Sequence, residues 1–405
     1  MISLKQYRQV LINYCYHLPA AIFWSFYYRF PARHLKIIGV TGTDGKTTTA
    51  TFIWHILKKS GKKVGLINTI ITKMGKNEIA TGLHVTSPQP HQIQKFLFQM
   101  KKNNLEYAVL ETTSHGLDQF RFWGIKFHLG LVTNVTPEHI DYHQTFKNYL
   151  QAKGKLIKQS AVVILNRDDS SFNFFKNLSK KYHITPFAYS LNQKADYTSQ
   201  KFSFVCPLSG KYNHYNCLAA IATVRQLGLT KTQIKKALVS FCSPLGRLET
   251  ITMGQKFSVY VDFAHTPNGL KNVLKELKKQ VKSNKLIVVF GCAGERDKKK
   301  RPAMGKIASN LADLTILTAE DPRTEKVTDI IKEITAGFTG PGKKKIIPDR
   351  EKAIKFAISQ AKRNDIVVIC GKGHEKSMCF GKKEYPWSDQ KTVKKALQEK
   401  LKNKQ

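Results

Sequence analysis

The chain has 405 residues, 41% of them hydrophobic, and carries 67 Lys and Arg against 28 Asp and Glu. That apolar content excludes a disordered chain, and the length exceeds one ordinary domain, so two or three packed domains are expected. The net charge of +39 attracts polyanions, but the cations are scattered as groups such as Lys298-Lys299-Lys300 and Lys343-Lys344-Lys345, with no recognisable binding module, so no nucleic-acid partner is expected.

Residues 1–36 form an aromatic-rich leader. The run Leu18 to Tyr28 is apolar, but Asn13, His17 and Pro19 interrupt its surroundings. The clean stretch is about half of what a membrane span requires. A helix packed on the main body is expected, with a helix lying on a membrane surface as the alternative. No cleavable secretory signal is visible. The seven cysteines (Cys15, Cys206, Cys217, Cys242, Cys292, Cys370 and Cys379) form no CxxC pair, which argues against a disulfide framework or a zinc site. Both observations point to a reducing cytoplasm.

Residues 37–243 alternate short apolar runs with helical patterns. Strands are predicted at 35–40, 107–110, 129–132 and 161–165, and a helix at 47–59 with Phe52, Ile56 and Leu57 on one face. Residues 244–405 repeat the alternation, with strands at 257–261, 285–290, 314–317 and 365–370 and helices at 268–281, 303–311 and 350–363. Strands alternating with helices predict an α/β fold with a mostly parallel sheet in each unit. The join at Ser243-Pro244-Leu245-Gly246 is short.

The sharpest local signal is Gly39-Val40-Thr41-Gly42-Thr43-Asp44-Gly45-Lys46-Thr47-Thr48, placed after a strand and opening a helix. Glycines let backbone N–H groups face phosphate oxygens, and the helix N-terminus adds favourable partial charge. Val40 occupies the first glycine position of the common GxxxxGK[ST] pattern, so the tight form here is GTDGKT. Lys46 suits the terminal phosphates and Thr47 a Mg²⁺ ion. A GTPase would show NKxD, which is missing. A transporter or helicase would end a later strand in an acidic pair, whereas the strand at 107–110 leads into Glu111-Thr112-Thr113-Ser114-His115-Gly116.

Further motifs follow in order: ETTSHGLDQFR at 111–121, TNVTPEHIDYH at 133–143, YLQAKGKL at 149–156, GKYNHYNCLAA at 210–220, GRLE at 246–249, DFAHTPN at 262–268, EDPRTE at 320–325 and GKGHE at 371–375. With GTDGKTTT at 42–49 this series resembles the Mur ligase family, which includes folylpolyglutamate synthetase. The last three motifs and HVTSP at 84–88 are most like the MurE type. The resemblance implies a P-loop ATPase domain with a mostly parallel sheet, followed by a Rossmann-like C-terminal domain. It implies ATP-dependent addition of the third amino acid to UDP-N-acetylmuramoyl-L-alanyl-D-glutamate in peptidoglycan biosynthesis, through an acyl phosphate.

Site roles follow from the same resemblance. Gly42, Thr43, Asp44, Gly45, Lys46, Thr47 and Thr48 would hold the phosphates of ATP, and Asn213 the adenine. Arg247, Asp262 and His265 would face the rest of the nucleotide. Lys46, Glu111, His139 and Lys153 would form the catalytic centre. Thr47, Glu111, His139 and Lys153, the last as a carbamate, would hold Mg²⁺. Thr86, Ser87, Ser114, Gln119 and Arg121 would bind the muramoyl dipeptide; Asp321, Arg323, Gly371 and Glu375 would read the diamino acid. MurE-type enzymes usually carry a further UDP-gripping domain before the P-loop, whereas 38 residues precede Gly39 here, so the leader is expected to substitute for it. Asp321 stands where diaminopimelate enzymes show Asn, which weighs toward lysine, while Arg323 weighs toward diaminopimelate. A monomer is expected. Two other readings stay open: a ligase of the same family with another acceptor, and a non-catalytic nucleotide-binding protein at a membrane.

Overall fold

The computed structural model describes residues 4–80, 87–281 and 283–402. The chain divides into two compact units, Met1–Cys242 and Ser243–Gln405.

Among the described residues the first unit holds a nine-stranded sheet. Its centre is parallel: Lys36–Thr41 lies between Tyr107–Glu111 and Phe127–Val132, and Val64–Ile67, Ser160–Asn166 and Thr185–Ser190 extend the sheet outward. These central strands read as unbroken apolar runs because both faces are covered. On one side the helix Lys46–Lys59 buries Phe52, Ile53, Ile56 and Leu57 against the helix Lys211–Gln226, which offers Cys217, Leu218, Ile221 and Val224. On the other, Pro90–Lys102 and Phe146–Lys158 cover the sheet through Ile93, Leu97, Met100 and Leu156. An antiparallel hairpin, Ile71–Met74 with Asn77–Ala80, closes one edge. The sequence gives this hairpin no strong alternation, and its second strand is largely exposed.

The leader forms helices at Leu4–Ile12 and Leu18–Tyr27, joined by a π-helical turn at Asn13–His17. Asn13, Ala21 and Ser25 are buried, and Trp24 and Tyr28 pack on His91 and Phe98. Ser25 is fully buried; its hydroxyl donates to the carbonyls of Ala21 (2.8 Å) and Trp123 (3.2 Å) and accepts from Gln94 Nε2 (3.0 Å). Asn13 Nδ2 donates to Asp118 Oδ2 at 2.9 Å. The leader thus packs on the first unit, as expected for a helix on the main body.

The second unit has a six-stranded sheet among the described residues, five strands of it parallel. Ser258–Asp262, Ile366–Cys370, Leu286–Phe290 and Leu314–Leu317 stand side by side, with an antiparallel edge strand at Glu249–Thr250. The outer strand Lys343–Ile346 is exposed throughout, so its three lysines hide it among surface charge runs. Helices cover both faces: Pro267–Gln280, Lys300–Leu311 and Val327–Thr335 on one, Arg350–Gln360 and Asp389–Lys402 on the other. Arg350 and Asp389 are both fully buried and pair at 2.8 Å. The guanidinium also donates to the carbonyls of Ala319 and Cys370, so it ties the last helix to two strand ends.

Candidate active site

Three adjacent parallel strands end together in the first unit. Val40 sits beside Glu111, and Thr41 beside Val132. Such a place, where neighbouring strands are reached by crossovers to opposite sides, is where open α/β sheets bind ligands. The phosphate loop springs from the central strand. Gly42 and Gly45 have φ of +152° and +80°, and a Cβ on them would lie 1.9 Å from Thr133 Oγ1 and 2.2 Å from Asn216 Oδ1. Only glycine fits either place. Asn134 fixes the loop between them: its carbonyl accepts from Thr43 N (2.7 Å), and its side chain bonds both Asp44 N and Asp44 O (3.0 Å each). Lys46 Nζ curls back to donate to the Thr43 carbonyl at 2.7 Å, and Thr48 is buried in the first turn of the helix.

Glu111 is buried at its strand end. Its carboxylate accepts from Thr47 Oγ1 (2.9 Å to Oε2) and from the N–H and hydroxyl of Thr69 (3.1 and 3.0 Å). Lys153 arrives from the helix Phe146–Lys158 and is 1% exposed. Its Nζ donates to the Gly42 carbonyl at 2.6 Å and lies 4.4 Å from the centre of the Tyr149 ring. Burial pushes its pKa well below the ordinary lysine range, and the like charge of Lys46 adds to the shift, against weaker opposing pulls from Glu138, Asp44 and Asp169. Tyr149 OH meets Thr43 Oγ1 at 3.0 Å, so lysine, ring and loop form one packed group. His139 lies in the left-handed region (φ 55°), with its ring 4.8 Å from His115 and 6.2 Å from Tyr149, and its Nε2 is 3.7 Å from Glu138 Oε2.

Beyond this centre, Ser87, Ser114, Gln119 and Arg121 gather around the short helix Ser114–Asp118. Arg121 NH1 donates to the Ser87 carbonyl (2.5 Å), and its Nε and NH2 both donate to Gln119 Oε1 (2.9 and 2.6 Å). Ser114 Oγ is 3.0 Å from His143 Nε2. Burial, then the charge of His115, lowers the His143 pKa to about 3, so His143 is a neutral partner. Asn213 is buried, donates to the Ser209 carbonyl at 2.6 Å and touches Asn216. Thr86 lies outside the described residues.

In the second unit the motifs also sit at the carboxyl ends of parallel strands. Asp262 receives the N–H groups of Leu248 and Ala264, both at 2.7 Å, so its carboxylate shapes the turn. The Arg247 guanidinium stacks 4.7 Å from the Phe263 ring, which also contacts His265 and His374. Asp321 does not stand as an open charge: Oδ1 accepts from buried Lys372 Nζ at 2.7 Å and from Cys379 N at 2.9 Å. Lys372 also pairs with Glu375. Arg323, half-buried and at φ 51°, donates from NH1 to the Gly294 carbonyl at 2.8 Å. Gly371 is buried beside Glu320, whose Oε2 would lie 2.3 Å from a Cβ placed there.

A family model described as the Mur ligase middle domain matches residues 40–224, and one described as the Mur ligase, glutamate ligase domain matches residues 246–373. A UDP-N-acetylmuramoyl-L-alanyl-D-glutamate--2,6-diaminopimelate ligase of Clostridium acetobutylicum is 36% identical over 399 residues, covering 94% of this chain and 81% of the relative. The chain belongs to the Mur ligase family. A UDP-N-acetylmuramyl-tripeptide synthetase of Borrelia garinii is 39% identical over 93% of this chain and 79% of its own length. Among solved structures, a diaminopimelate ligase matches at TM-score 0.62 and 32% identity, covering 91% of this chain and 79% of its own. Mycobacterium tuberculosis folylpolyglutamate synthase, complexed with ADP and AMPPCP, matches at TM-score 0.70 and 16% identity over 87% of this chain and 92% of its own. That last likeness concerns the fold.

As a Mur ligase, the chain is an ATP-dependent peptide-bond-forming enzyme, and several of its site residues escape sequence reasoning. Thr133, Asn134, Tyr149 and Asn216 lie within quoted motifs, but they act by holding backbone or a neighbouring side chain. Thr69 lies in no motif. Lys372 is legible only as the second letter of GKGHE, and its pairing with Asp321 spans 51 positions.

Glu320 yields a pH test. It is buried, its Oε2 has no hydrogen-bond partner among the described residues, and burial raises its pKa from 4.5 to about 7. The folded chain therefore keeps a proton that the unfolded chain releases near pH 4.5. Stability falls as pH rises from about 4.5 to about 7, by roughly 3 kcal/mol when complete. Glu320→Gln removes this loss. Hydrogen exchange of the 366–370 amides should match wild type at about pH 4, below the unfolded pKa, and be slower than wild type at about pH 8. Equal protection at both pH values would show that Glu320 titrates normally.

Proposed function

We propose that this chain joins meso-diaminopimelate to the D-glutamyl carboxylate of UDP-N-acetylmuramoyl-L-alanyl-D-glutamate in the cytoplasm, as a monomer, using ATP. The relatives named for that reaction support the substrate assignment. The observation that carries the chemistry is Lys153, a buried amine 2.6 Å from the Gly42 carbonyl of the phosphate loop.

Amide formation from a carboxylate and an amine is uphill in water. Phosphoryl transfer to the carboxylate makes an acyl phosphate; the amine then attacks the acyl carbon and phosphate leaves. Catalysis here is positioning and charge neutralisation. In this reading the amides of 45–48 and the Lys46 ammonium take the β- and γ-phosphates, while the Thr43 and Asp44 amides stay tied to Asn134. Asn213, Arg247, Asp262 and His265 serve the rest of the nucleotide. Ser87, Gln119 and Arg121, already cross-linked by hydrogen bonds, orient the dipeptide together with Ser114, which is held by His143.

The donor set suits Mg²⁺, which prefers a few hard oxygens and completes its shell with water and phosphate. Thr47 Oγ1 and the Glu111 carboxylate, within 3.1 Å of each other, are such donors, and His139 with a modified Lys153 would serve a second ion. Bound Mg²⁺ would neutralise charge on the triphosphate. Lys153 as an ammonium would repel it. Its lowered pKa favours the free amine, whose lone pair can add to CO₂. The N–C bond forms, one proton leaves, and a carbamate oxygen pair replaces the positive charge. Lys153→Ala should lose at least roughly a hundredfold in turnover, as for removal of one preorganised electrostatic group, and regain part of it with added formate or acetate. Full activity of Lys153→Arg, with no rescue of the alanine variant, would exclude the carbamate.

The choice of amino acid turns on Asp321. Its negative charge is partly offset by Lys372, which it shares with Glu375, so its repulsion of a substrate carboxylate is reduced. Arg323 is then the group that pairs with the distal carboxylate of diaminopimelate, with Gly371 and Glu375 beside it. L-lysine is the second reading. Competing the two amino acids at equal concentration should show ligation of diaminopimelate, and Arg323→Ala should slow it by roughly 10- to 100-fold. Preference for lysine with a harmless Arg323→Ala would replace the substrate and keep the ligase.

A further inference from the structure

The leader packs Trp24 and Tyr28 on His91 and Phe98 of the helix Pro90–Lys102, yet leaves most of its large apolar side chains outward. A helix on a water-soluble protein turns its large apolar side chains inward. Here the most buried positions are Asn13, Ala21 and Ser25, with Asn13 and Ser25 held by Asp118, Gln94 and the Trp123 carbonyl. The outward positions are aromatic: Tyr7 and Tyr14 are 58% exposed, Tyr16 68%, Phe23 58%, Phe26 63% and Tyr27 64%. Val10, Leu11 and Ile12 are exposed beside them. The rings pack on one another, with Phe23 and Tyr27 stacked at 6.1 Å and Tyr14 edge-on to Phe120 at 5.2 Å. The hydrogen bonds beneath fix this face on the first unit. A rigid apolar surface of that kind marks an interaction site.

Charge identifies the occupant. No Asp or Glu precedes Asp44, and Arg8, Arg29 and Arg33 are exposed around the aromatic face. A second copy of the chain would bring the same cations against each other across a two-fold interface. Nucleic acid would satisfy the arginines and could stack on the rings, but it offers no counterpart for Val10, Leu11 and Ile12. The boundary of an anionic bilayer meets all three features. Its headgroups take the arginines, and its interfacial zone takes aromatic rings and aliphatic side chains together. Among the described residues no helix is long and apolar enough to cross a membrane, so the helices would lie on the surface.

We propose that the face formed by Tyr7, Tyr14, Tyr16, Phe23, Phe26 and Tyr27, ringed by Arg8, Arg29 and Arg33, docks the protein on the surface of a bilayer rich in anionic phospholipid. The docking is peripheral and reversible, set by ring insertion plus headgroup attraction. It also places Gln119 and Arg121 near the membrane, because Asn13 bonds to Asp118 in the same short segment.

Flotation of the full chain with lipid vesicles tests this. The protein should rise with phosphatidylcholine vesicles that contain phosphatidylglycerol, remain below with phosphatidylcholine alone, and be released by high salt. The triple variant Phe23→Ser/Phe26→Ser/Tyr27→Ser changes exposed positions only and should lower vesicle binding at least roughly tenfold, with nucleotide binding unchanged as the check on folding. Arg29→Gln/Arg33→Gln should weaken binding and flatten its salt dependence. Four results would overturn the proposal: no flotation on either vesicle, equal flotation on the neutral one, a dimer in sedimentation that the triple variant abolishes, or transfer of the protein from vesicles to a single-stranded oligonucleotide.

Discussion

An amine buried in a pocket shaped for anions is the constraint on which the first unit turns. Lys153 reaches the Gly42 carbonyl of the glycine-rich loop from a helix on the far side of the sheet. A buried ammonium there would face the Lys46 cation across a short distance with little water to screen it. The protein relieves that conflict by depressing the basicity of Lys153. The same geometry needs Tyr149 beneath the amine, Thr43 against Tyr149, and Asn134 and Thr133 to hold the loop in a path that two glycines permit.

The second unit settles its charges differently. Arg350 and Asp389 are matched inside the core, and Arg301 is buried between Glu325 and Glu333. Lys372 is shared by Asp321 and Glu375, a group that keeps one negative charge in excess. Arg323 bonds to a backbone carbonyl and stays half-exposed, which distinguishes it from the buried, carboxylate-paired arginines.

The parallel sheets were legible because strands covered on both faces must be apolar throughout, as Ile366–Cys370 shows. The phosphate loop was legible because glycine spacing, a lysine and a helix start are all local. The hairpin at 71–80 and the strand Lys343–Ile346 were not, since an edge strand needs no second apolar face and charge on it reads as loop. The pairing of Asp321 was not legible either, because sequence cannot show that Lys372, 51 positions away, bonds to it. The leader read as helical, but which of its faces turned outward depended on three polar contacts with distant residues.

The central claim is that the phosphate loop delivers a phosphoryl group to a carboxylate before any amide forms. UDP-N-acetylmuramoyl-L-alanyl-D-glutamate labelled with ¹⁸O in its γ-carboxylate, incubated with the protein, ATP and diaminopimelate, measures this directly. One ¹⁸O should move into inorganic phosphate for each amide made, because the oxygen that attacks the γ-phosphorus leaves with it. Amide formation with unlabelled phosphate would contradict the account, since the carboxylate oxygen would then never have been bonded to phosphorus.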